Sequence, residues 1–115
     1  MHKINLLFDS LEGAYAPNTI RSYRSDYMHY SNWCQKYHYG PLNIHKDKFA
    51  DYIMDMGESL TVATIQRRVA SLSSIFNLTK SINPAKEPVV ILTIKKLRSV
   101  ILPFLTLAKN RISVV

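Results

Sequence analysis

Between Thr61 and Thr79 the apolar residues Val62, Ile65, Val69, Leu72 and Phe76 recur at spacings of three, four, three and four. That spacing predicts an amphipathic helix with a single core-seeking stripe. At 100° per residue, Arg67 falls nearly opposite the middle of the stripe. Ala63, Ser71 and Ser74 lie beside it, with Thr64 and Arg68 towards one flank. The outward side therefore offers two guanidinium groups among small side chains, so a bulky partner can approach the backbone. Such a face suits a nucleic-acid groove, where arginine meets phosphate or the edge of guanine. The plainer alternative is a solvated surface helix with no partner at all.

A second stripe runs from Thr19 to about Tyr37 through Ile20, Tyr23, Tyr27, Tyr30, Cys34 and Tyr37, with Trp33 at its edge. Opposite it lie Arg21, Ser25, Met28, His29 and Asn32, flanked by Ser22 and Arg24, a polar face similar to that around Arg67. The tyrosines at these positions read as core and rim residues. Pro17 predicts a loop over Ala14–Asn18, with Asn18 or Thr19 capping the helix that follows. Gly40 is the expected C-terminal cap. A third helix, roughly Lys46 to Met56, points Phe49, Tyr52, Ile53 and Met56 inward and lines Asp47, Asp51 and Asp55 along an acidic, solvated side. Ser59 or Thr61 starts the Arg67 helix.

Residues 1–13 carry a short helical stripe of Ile4, Leu7, Phe8 and Leu11. After a loop over Lys80–Pro88, Pro88 opens a last helix. That helix turns Val90, Ile94, Leu97 and Ile101 inward and Lys95, Lys96 and Arg98 outward. Pro103 stops it. Val89–Leu92 and Ile112–Val115 are the ambiguous strand-like stretches. The expected organisation is an N-terminal arm or short helix over 1–13, a helical domain over 14–99 and a divergent tail over 100–115.

Charge sharpens the picture. The net charge is +7, but residues 1–57 hold six basic and six acidic side chains, whereas residues 58–115 hold nine basic against Glu58 and Glu87. An excess confined to one half points to a polyanion, either nucleic acid or an anionic surface. The single cysteine, Cys34, excludes an internal disulfide and fits a reducing cytoplasm. No apolar run reaches membrane-spanning length, and the N-terminus does not read as a signal peptide. His2, His29, His38 and His45 are scattered without metal-ligand spacing, and no glycine-rich phosphate loop occurs. No metal, cofactor or catalytic site is expected.

Taken in order, NTIRSYRSDYMHYSNWC (18–34), PLNIHKDKFADYI (41–53), TIQRRVASLSSIF (64–76), NPAKEPVV (83–90) and LTIKKLR (92–98) resemble the N-terminal core-binding domain of tyrosine recombinases, the phage-integrase family. The resemblance implies an all-α, compact orthogonal bundle of four to five helices, described as SAM-like. It also implies one half of a clamp on double-stranded DNA. The helices that match the family's groove-facing pair would turn Thr19, Arg21, Ser22 and Ser25, and Ala63, Thr64, Arg67, Arg68 and Ser71, towards the duplex. Arg24 would touch the backbone alongside Arg21. The family's catalytic arginine, His-x-x-Arg motif and tyrosine nucleophile have no counterpart in this sequence. The expectation is therefore a truncated, DNA-binding family member without strand-transfer activity of its own. A module for protein–protein assembly, pairing copies through Ile4–Leu11 and Phe104–Val115, is the alternative.

Overall fold

The computed structural model describes residues 2–99, and every regular element among them is helical. Helix α1 spans His2–Ser10, α2 Pro17–Lys36, α3 Lys46–Met56 and α4 Val62–Leu78. A 3-10 turn at Pro84–Lys86 leads into α5, helical over residues 88–99. The fold is all-α, as the two apolar periodicities implied. The ambiguous stretch Val89–Leu92 is helical, whereas Ile101, Phe104–Val115 and the tail over 100–115 lie outside the described residues.

The core is aromatic and centred on Tyr30. Its ring meets Tyr27, Phe49, Tyr52 and Phe76 with centroids 5.2–6.2 Å apart, all near edge-to-face, the arrangement the ring quadrupoles prefer. Its hydroxyl donates to the Pro41 carbonyl at 2.6 Å, so the one polar atom of this buried side chain is satisfied. All four expected inward residues of α3, Phe49, Tyr52, Ile53 and Met56, are buried, and so are Ile65, Val69, Leu72 and Phe76 of α4. Ile4 and Phe8 of α1, with Leu11 just beyond its end, join the same cluster, so α1 turns its apolar side to the body and, of its apolar residues, leaves Leu6 strongly exposed. On α5, Val90 and Leu97 are buried while Lys95, Lys96 and Arg98 face solvent. Leu97 packs so closely on Gly57 that a Cβ there would lie 2.7 Å from Leu97 Cδ2.

The helix ends differ from expectation in instructive ways. Helix α2 begins two residues early: Pro17 occupies its first turn, where no amide donor is needed, and neither Asn18 nor Thr19 caps it. Thr61 does cap α4, accepting from the Thr64 amide at 3.2 Å, and His45 caps α3 through Nδ1. At the end of α2 the left-handed residue is His38 (φ 62°) and not Gly40. The Tyr39 amide donates to the Cys34 carbonyl and the His38 amide to that of Gln35, closing a Schellman turn. Helix α4 ends the same way around Lys80 (φ 57°), with Ser81 N–H to Phe76 and Lys80 N–H to Asn77. Gly40 instead gives way to the Asn43 side chain, which would overlap any Cβ at that position.

Both left-handed positions thus carry side chains that disfavour the conformation. His38→Gly and Lys80→Gly should each raise stability by about 0.5–1 kcal/mol, read as a higher urea midpoint at unchanged m-value. Tyr30→Phe should lower it by about 1–2 kcal/mol, because the Pro41 carbonyl is left without its donor.

Candidate nucleic-acid interface

One acidic side chain, Asp26, occurs in α2, and none occurs in α4. Asp26 lies one step off the tyrosine stripe and is only 1% exposed. Arg67 grips it end-on, with Nη1 to Oδ2 at 2.7 Å and Nη2 to Oδ1 at 3.0 Å. Arg68 adds its Nε at 3.3 Å from Oδ1. A buried carboxylate without partners would be costly; two guanidinium groups on the facing helix remove that cost. Burial by itself would raise the Asp26 pKa. The hydrogen bonds from Arg67 and Ser71, the Arg67 charge and the Arg68 hydrogen bond outweigh it and hold the carboxyl below the ordinary value. The same pairing raises the pKa of Arg67.

The two arginines are unequal. The Arg67 side chain remains 52% exposed, whereas that of Arg68 is 13% exposed. Arg68 lies beneath, with Nη1 3.8 Å from the Met56 sulfur. Close by, His29 Nδ1 pairs with the Tyr52 hydroxyl at 2.7 Å. Partial burial and the Arg68 charge lower the His29 pKa against the opposing pull of Asp26, so the imidazole is predominantly neutral at neutral pH.

Of the residues expected on the open face, Arg21, Ser22, Ser25, Ala63 and Arg67 are exposed and Thr19 and Thr64 half-exposed. Ser71 departs from that expectation: it is buried, because α2 packs against that flank of α4. Arg68 is drawn under by the same contact. Arg24 stacks its guanidinium 4.8 Å over the Phe8 ring, tying α2 to α1, and Arg21 donates to Asn18 one turn back. Because Arg67 points away from the α4 core stripe and still reaches α2, the polar faces of the two helices adjoin. Asp26 is the member of this cluster that periodicity missed. The available signal was compositional: it is the sole carboxylate on α2 that could answer the paired arginines of α4.

Other chemistry is quiet. Cys34 is buried and burial pushes its thiol up to about 11, partly offset by a hydrogen bond with Tyr30, so thiolate is scarce at neutral pH. The Asp47, Asp51 and Asp55 side of α3 is exposed, with Asp55 accepting from Trp33 Nε1 at 2.7 Å. Among the described residues there is no group of His, Cys, Asp or Glu able to hold a metal ion, and no helix long and apolar enough to cross a membrane.

The model of the phage integrase N-terminal SAM-like domain matches residues 6–83, from within α1 to just past α4. The chain belongs to that family. An integrase/recombinase xerD homolog of Selenomonas ruminantium is 30% identical to it over 83 residues, covering 70% of this chain and 24% of that protein. The chain thus spans about a quarter of the length of that relative. The family match over residues 6–83 includes both helices that Asp26 joins, and together with the relative it gives the domain a recombinase-related role.

In this SAM-like domain, Asp26→Ala should destabilise by about 2–3 kcal/mol. That lies below the usual cost of breaking a fully buried pair, because the half-exposed Arg67 left behind is screened by solvent while Arg68 is not. The folded pKa of Asp26 is depressed, so its contribution is complete above the unfolded value near 3.9 and is lost as pH falls through the folded one. The gap in urea midpoint between parent and Asp26→Asn should therefore be widest near neutrality and shrink below about pH 4.

Proposed function

We propose that this domain binds double-stranded DNA through the joined polar faces of α2 and α4, as the core-binding part of a tyrosine-recombinase-type protein. The observation that carries the reading is the Arg67–Asp26 bridge, which sets the two outward faces side by side. Thr19, Arg21, Ser22 and Ser25 on α2, and Ala63, Thr64 and Arg67 on α4, then form one low-relief, cationic surface. Arg24 adds charge from beside Phe8, while Arg68 acts from beneath by holding Asp26 and Ser71 is buried beside it. Hydroxyl and guanidinium donors of this kind meet phosphate oxygens and fix position on a duplex more than they read sequence. The acidic side of α3 would be repelled by DNA and is assigned to solvent. The described residues assemble no nucleophile, base and oxyanion site, so the domain binds without transferring strands itself. A cytoplasmic setting, where the buried thiol of Cys34 stays reduced, accords with this role.

Because Asp26 offsets one of the two α4 arginines, we expect only about three or four phosphates to be neutralised, giving a log–log salt slope of about −3. Binding by the isolated domain should be weak, about 10⁻⁴ to 10⁻⁶ M at physiological salt, with little sequence preference. Arg21→Glu, which leaves the Asp26 cluster intact, should weaken binding to a short duplex by about tenfold at low salt and flatten the slope by about one or two. Lys48→Glu on α3 makes the same charge change away from the proposed face and should cost far less. Equal losses in the two variants, read by fluorescence anisotropy, would reject the assigned surface.

A further inference from the structure

A guanidinium group has two edges that each present a pair of parallel N–H donors: the end, formed by the two terminal nitrogens, and the side, formed by Nε and its neighbour. Asp26 occupies the end edge of Arg67 with both carboxylate oxygens. The Nε of Arg67 has no hydrogen-bond partner among the described residues, and half of the side chain is open to solvent. We propose that Arg67 is a two-sided guanidinium, its end held by Asp26 and its side edge presented to one DNA phosphate, which makes Asp26 the positioning residue of the interface. The proposal deepens the DNA-binding reading above and rests on it.

Asp26 is well placed for this and poorly placed to compete with phosphate. Its carboxylate is buried and is gripped a second time by Arg68 from beneath. An incoming phosphate that displaced Asp26 from Arg67 would leave a desolvated carboxylate with only its Arg68 contact, whereas one that docks on the side edge breaks no existing hydrogen bond. A surface arginine normally loses side-chain freedom when it orders on a ligand. Here the carboxylate has already ordered it, with the end edge engaged and the side edge left unpaired. Arg68 cannot substitute, since its Nε is engaged with the same carboxylate and its side chain is largely covered. His29 and Tyr52 are the other titratable groups near Arg68 and Asp26; the lowered pKa of His29 and the raised pKa of Tyr52 keep both uncharged near neutrality.

The test is a double-mutant cycle on affinity for a short duplex at fixed salt. Arg67→Lys keeps the charge but cannot grip both carboxylate oxygens and still offer a second donor pair. In the parent it should weaken binding by about tenfold, matching the upper range for ordering one long side chain, with the salt slope unchanged. In an Asp26→Asn background, where the guanidinium is no longer aimed, the same substitution should cost less than about twofold. A purely structural role for Asp26 would lower the unfolding temperature without producing this coupling. Equal losses in both backgrounds would overturn the proposal and leave the DNA-binding surface standing; a parent that binds no duplex would remove both. Should Asp26→Asn fail to fold, side-chain ¹⁵N spectra of the parent decide the matter. The Arg67 Nε–H resonance should shift on titration with duplex while its terminal nitrogens stay in place, and the reverse pattern refutes the two-sided arrangement.

Discussion

A carboxylate taken out of water in the middle of α2 constrains much of this domain. Asp26 can be charged there only if cations come to it, and the nearest are two consecutive arginines on α4. Consecutive residues on a helix point 100° apart. For both to reach one carboxylate, α4 must lie with one particular flank against α2. The pair therefore sets the rotation of one helix against the other as well as their closeness. Ser71 follows from this, being the small polar residue on the flank that is covered.

Apolar packing makes the same choice from below. Tyr30 of α2 meets Phe49 and Tyr52 of α3 and Phe76 of α4, so three helices converge on one ring whose hydroxyl is anchored to the α2–α3 connection. Edge-to-face contacts of this kind are directional. An aromatic centre resists rotation of its helices more than an all-aliphatic one would, and it backs the rim on which Asp26 and the arginines meet. Packing density and the buried ion pair therefore reinforce each other, and a fault in either would be felt in the other.

This coupling also changes how the basic half of the chain should be read. Counted along the sequence, Arg67 and Arg68 are two free positive charges; in the folded domain they share a carboxylate, and one of them is nearly covered. The outward surface of α2 and α4 is thus less cationic but better ordered than its composition suggests. Membership of the integrase N-terminal SAM-like family gives the domain a recombinase-related setting; under the proposed DNA-binding role, an ordered guanidinium would help fix the position of a duplex.

The helical stripes were legible from spacing alone, because a 3.6-residue period is a local property, and among the described residues the stripes turn to the core apart from the exposed Tyr37 at the end of α2. The bounds of α3 and the Thr61 cap were legible for the same reason. The ends of α2 and α4 were not: His38 and Lys80 occupy left-handed positions where glycine is the usual signal, and tertiary packing imposes the conformation. Nor could the periodicity place Asp26 correctly. A flank residue looks solvated until a second helix lies over it, and which helix arrives, at which rotation, is decided by contacts between residues about forty positions apart. The amino-acid sequence by itself determined the elements, their inward sides and the likeness to integrase domains. Only the tertiary structure decided that α2 and α4 share a buried carboxylate and turn adjoining faces outward, since burial and charge pairing exist only once the helices have met.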